Sequence, residues 1–119
     1  MKTLKFEDLT IEQKLGMVSC GLISSPFAER TEETDAHALE LIRKRCLGSI
    51  WVNPQAANFE EIMQKIKEAA DYPILIFTDA ESGLGDYRIG YHNALGMADN
   101  EDYAYAFGKV TAVKARKMG

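Results

Sequence analysis

Ile74-Leu75-Ile76-Phe77 is an unbroken apolar run, entered from Asp71-Tyr72-Pro73 and left through Thr78-Asp79-Ala80-Glu81-Ser82-Gly83. A run with no polar alternation predicts a strand covered on both faces, which is the habit of strands in parallel sheets. Parallel strands need long crossover connections, usually helices, and the residues ahead of this run supply them. Leu47-Gly48-Ser49-Ile50-Trp51-Val52 reads as a strand ended by Asn53-Pro54, and Met17-Val18-Ser19-Cys20-Gly21-Leu22-Ile23 as a shorter buried one.

Helical patterns separate these strands. Ala38, Leu39, Leu41 and Ile42 fall on one face of a helix over 34–45, whose basic end Arg43-Lys44-Arg45 suits the helix dipole. Phe59, Ile62, Met63, Ile66, Ala69 and Ala70 mark a second helix, with Asn58 as the expected cap and Glu61 three residues on. Thr10-Ile11-Glu12-Gln13 has the same capping-box form and opens a short helix that stops near Gly16. Residues 24–33 and 78–96 read as loops, the first broken by Pro26 and the second rich in glycine. A last helix starts near Asp99 or Asn100 and runs to Met118, with Tyr103, Ala106, Phe107, Val110 and Val113 at helical spacing.

Strand, helix, strand, helix, strand, loop, helix predicts an α/β fold with a parallel sheet and right-handed crossovers. A (β/α)8 barrel takes about 250 residues. These 119 residues, one domain or a piece of one over 1–119, can therefore hold only the first part of such a barrel, its first three βα units.

Composition narrows the function classes. At 46% apolar residues and a net charge of −4 the chain can build a core, which argues against disorder. No basic stripe offers a footprint for nucleic acid, and no apolar window reaches the roughly 18 residues of a membrane span. The opening Met1-Lys2-Thr3-Leu4-Lys5-Phe6-Glu7 does not read as a signal peptide. Cys20 and Cys46 lack disulfide-framework or metal spacing, are expected in the core, and fit a cytoplasmic home with reduced thiols.

Chemistry concentrates after the third strand. Ligands of parallel α/β folds bind at the carboxyl ends of the strands, where this chain places Asp79 and Glu81. If the strand geometry persists, the two carboxylates share a parity and both face a site, able to accept hydrogen bonds from sugar hydroxyls or to serve in proton transfer. The plainer alternative is a loop Asp79 that caps a turn, with Glu81 solvated or paired to Arg88.

Four segments in order resemble the N-terminal barrel of glycoside hydrolase family 3. Leu9-Thr10-Ile11-Glu12-Gln13-Lys14-Leu15-Gly16 is similar to the family's opening L-T-x-E-x-K-x-G, and Gly48-Ser49-Ile50-Trp51-Val52 to its second strand. The stretch from Pro73 to Gly83 is similar to its P-x-x-I-x-x-D-x-E-G-G segment. Ala94-Leu95-Gly96, the helix holding Ala104 and Gly108, and the closing Ala115-Arg116-Lys117-Met118-Gly119 are similar to the next helix. The resemblance implies a retaining β-glycosidase acting on terminal β-linked N-acetylglucosamine or glucose through a covalent glycosyl-enzyme, its two carboxyl groups about 5 Å apart. It gives Asp79 the role of binding hydroxyls of the sugar in the cleavage subsite, and makes Asp79, Glu81 and Arg88 the candidate substrate-binding residues. The family's Lys-His pair, its acid/base residue and its nucleophilic Asp lie on later strands and loops, so these residues alone are expected to be inactive. Two positions depart from the pattern. Ser82 replaces the first Gly of E-G-G, and the family's Arg falls on Tyr87, one residue before Arg88.

No cofactor is expected, because Gly83-Leu84-Gly85 follows the third strand and lacks a correctly placed third Gly for a dinucleotide fingerprint. His37 is expected on a charged helix surface, His92 in a solvated loop, and Trp51 in core packing or stacked on a sugar. A partial barrel exposes its edge strands and inner face, which predicts self-association. The alternative function is a stand-alone α/β module that binds a sugar or a protein without turnover.

Overall fold

The computed structural model describes residues 4–24, 32–85, 87–90 and 92–119, and the side chains of Tyr87 and His92 lie outside that description. The chain is mixed α/β and divides into two compact units, Met1–Thr78 and Asp79–Gly119.

In the first unit a one-turn 3₁₀ helix at Phe6–Asp8 precedes α1 (Ile11–Met17). The capping box forms as the sequence predicts. Gln13 N–H donates to Thr10 Oγ1 at 3.3 Å, and Thr10 N–H donates to Gln13 Oε1 at 3.1 Å. The helix continues through Gly16 to Met17, so β1 is only Cys20–Ile23 and the expected strand loses its first three residues. The cause is packing. A Cβ on Gly16 would strike the backbone of Cys46, and one on Gly48 would strike the carbonyl of Met17. Gly16 is there for close approach and does not end the helix.

Two further strands complete a parallel sheet of order β1-β2-β3, with β2 at Ser49–Val52 and β3 at Leu75–Phe77. Its crossovers are α2 (Glu32–Arg43) and α3 (Phe59–Ala69). Glu32 and Glu33 belong to α2, not to the expected loop, and residues 25–31 of that loop lie outside the described residues. The C-terminus of α2 closes in a Schellman arrangement, Cys46 N–H donating to Leu41 O and Arg45 N–H to Ile42 O, both at 2.8 Å. Arg45 takes the left-handed conformation at φ 59°, where glycine is usual. Its guanidinium grips Asp71 through Nε and Nη2, tying the end of α2 to the segment after α3. The expected Asn58 cap does not form. Asn58 sits at φ −106°, ψ 28°, away from the extended backbone that aims a capping side chain, and Phe59 N–H donates to Ala56 O instead.

Ile42, Ile50, Val52, Ile62, Ile66 and Tyr72 centre the core, which joins α2 and α3 to one face of the sheet. The buried Tyr72 hydroxyl donates to the carbonyl of Leu47. The expectation that β3 is covered on both faces is corrected here, because Ile74 and Ile76 pack on the core while Leu75 and Phe77 are exposed. An apolar run encodes a wish for burial without encoding what supplies it.

In the second unit the expected loop 78–96 contains real elements. β4 (Gly83–Leu84) and β5 (Tyr87–Arg88) pair antiparallel, and α4 (His92–Met97) follows. Gly83, within β4, and Gly85, just after it, take the positive φ values 93° and 58° that favour glycine. α5 (Glu101–Met118) starts where the sequence predicts, with Asn100 Oδ1 accepting from Asp102 N–H at 3.0 Å and Tyr103 N–H at 3.3 Å. It packs on β4 and α4, yet none of its residues is fully buried, so its apolar stripe is not the packed face that its spacing suggests.

Candidate functional site

The candidate residues all follow β3. That strand ends at Phe77, residues 78–80 are irregular, and Glu81 and Ser82 form a turn. Asp79 and Glu81 therefore do not share a strand, since β3 ends at Phe77 before both are reached. The turn is built by the main chain. Gly83 N–H donates to Ala80 O at 3.0 Å, and Ile89 N–H donates to Ser82 O at 2.9 Å across the base of the hairpin.

Asp79 and Glu81 are both exposed. Among the described residues neither carboxylate has a hydrogen-bond or ion-pair partner, so Asp79 does not cap the turn and Glu81 does not pair with Arg88. Each is an acceptor-only group open to a ligand donor. Immediately before them, the Thr78 hydroxyl is buried with no hydrogen-bond partner among the described residues.

Arg88 stands opposite Gly83 in the β4–β5 register. It lines an open groove of about 440 Å³ with Ile89, Leu95, Tyr103, Phe107 and Val110. Asp79 and Glu81 are not part of that lining, so the structure does not gather the three candidates into one pocket. The groove itself is aromatic and aliphatic with one guanidinium, a lining whose ring faces and planar donor fork suit a hydroxylated ring or a carboxylate. Tyr103 and Phe107 were read from the sequence only as members of a stripe at helical spacing. Their place beside Arg88 depends on the hairpin, which has no signal beyond Gly83 and Gly85.

Trp51 is half-buried on the sheet face opposite the helices, beside Leu22 and Phe77 in the register. Cys20, expected in the core, is exposed on that same face, and Cys46 is half-buried; both are free thiols. The correction for Cys20 follows from its parity, since it alternates with Gly21 and points away from α2. His37 is exposed on α2 as expected, and the His92 side chain lies outside the described residues. A second groove, of about 570 Å³, is lined by Ile66, Ala70, Ile74 and Ile76 with Lys67 and Asp71, and offers hydrocarbon with little polar chemistry. Among the described residues no cluster of His, Cys, Asp and Glu could hold a metal ion, and no helix is long and apolar enough to cross a membrane.

Comparison with protein-family models, with curated proteins and with solved structures finds no match to this chain.

Proposed function

We propose that this chain is the opening part of a glycoside hydrolase family 3 barrel, three βα units that contribute a sugar-binding carboxylate, Asp79, to a retaining β-glycosidase acting on terminal β-linked N-acetylglucosamine or glucose. The observation that carries this reading is the parallel sheet of sequential order β1-β2-β3, with Asp79, unpartnered among the described residues, two residues beyond the carboxyl end of β3. Sequential parallel strands with helices on one face are how a barrel begins, and the carboxyl ends of its strands are where it binds ligand. The open sheet face, with Leu22, Trp51, Leu75 and Phe77, is then the inner surface that later strands enclose. Free Cys20 and Cys46 support a cytoplasmic home.

In this reading Asp79 accepts hydrogen bonds from two sugar hydroxyls, and Arg88 donates at the rim. Proton transfer and nucleophilic attack belong to carboxylates that the family carries beyond these units. The chain is therefore expected to bind sugar weakly and to turn over neither aryl β-N-acetylglucosaminide nor aryl β-glucoside. Calorimetric titration with N-acetylglucosamine and glucose tests the binding. Heat that is lost in Asp79→Ala supports the proposal, and turnover by the isolated chain overturns it. The groove beside Arg88 favours a second reading, a small sugar- or carboxylate-binding module without catalysis. Binding that survives Asp79→Ala and disappears in Arg88→Ala would select it.

A further inference from the structure

We draw no further inference here: the strongest candidate, the patch on α5 of the second unit where Lys109, Lys114 and Lys117 surround Val110 and Val113, carries none because nothing in the structure shows what covers it.

Discussion

Gly48→Ala probes the closest backbone contact in the first unit. The added Cβ would overlap the carbonyl oxygen of Met17, and that oxygen belongs to main chain held at the end of α1. The same residue donates its N–H to Gly16 O at 2.9 Å, so any shift that relieves the overlap also stretches this bond. Overpacking against fixed backbone costs about 1–3 kcal/mol, and the weakened hydrogen bond adds about 0.5–1.5 kcal/mol. A destabilisation of about 2–4 kcal/mol is expected, a large part of the roughly 5–15 kcal/mol available to a domain. The chain's one tryptophan, Trp51, lies in the strand that Gly48 leads into, so its fluorescence reports unfolding of this unit. With a urea slope of about 1–3 kcal/mol/M, the midpoint should fall by about 1–2 M. Gly108→Ala is the control. Nothing lies within 4 Å of the place its added methyl group would take on α5, and it should leave the Trp51 transition in place. A Gly48→Ala midpoint within error of wild type would refute the close-approach explanation for Gly48.

Other expectations follow from single contacts. The Gln13 side chain serves two elements, accepting from Thr10 N–H and donating from Nε2 to Lys44 O at 3.0 Å, so Gln13→Ala should destabilise by about 1–2 kcal/mol and Thr10→Ala by about 1 kcal/mol, ranked by the same urea titration. Burial pushes the Tyr72 hydroxyl from its ordinary 10.0 up to about 12. The unfolded chain therefore releases this proton first, and its contribution, whole below pH 10, is lost as pH rises towards 12, by on the order of 2–3 kcal/mol. Tyr72→Phe should be less stable at neutral pH, because the carbonyl of Leu47 loses its donor, and should show a flatter decline between pH 10 and 12. An equally steep decline in the variant would place the alkaline transition elsewhere.

What the sequence made legible was what local chemistry decides. Thr10 and Gln13 announced a capping box that forms, and the last helix starts at Asn100, one of the two expected positions. The α3 stripe of Ile62, Met63 and Ile66 is buried as its period requires. Asn58 and Glu61 carry the same pattern as Thr10 and Gln13, but the turn before α3 rotates Asn58 out of the extended conformation, and no local pattern records that turn. Periodicity also failed to distinguish a face that wants burial from one that has it. Leu75 and Phe77 on β3 and Cys20 and Leu22 on β1 all read as buried and are exposed, as are Tyr103 and Val113 of the α5 stripe. At the candidate site, the position of Asp79 beyond the third strand was legible from the run that precedes it. The β4–β5 hairpin was not, because strands of two residues leave only Gly83 and Gly85 as a trace. That hairpin carries Arg88 into a groove with Tyr103 and Phe107, apart from the two carboxylates it was read with.

Nuclear magnetic resonance titration of the ¹⁵N-labelled chain with N-acetylglucosamine and with glucose tests the sugar-binding role of Asp79 most directly, since it reports where a sugar binds as well as whether it does. Expected are saturable shifts centred on the amides of Thr78, Asp79 and Ala80, abolished in Asp79→Ala while the remaining spectrum stays that of a folded chain. Shifts absent at saturating sugar, or unchanged in Asp79→Ala, would contradict it.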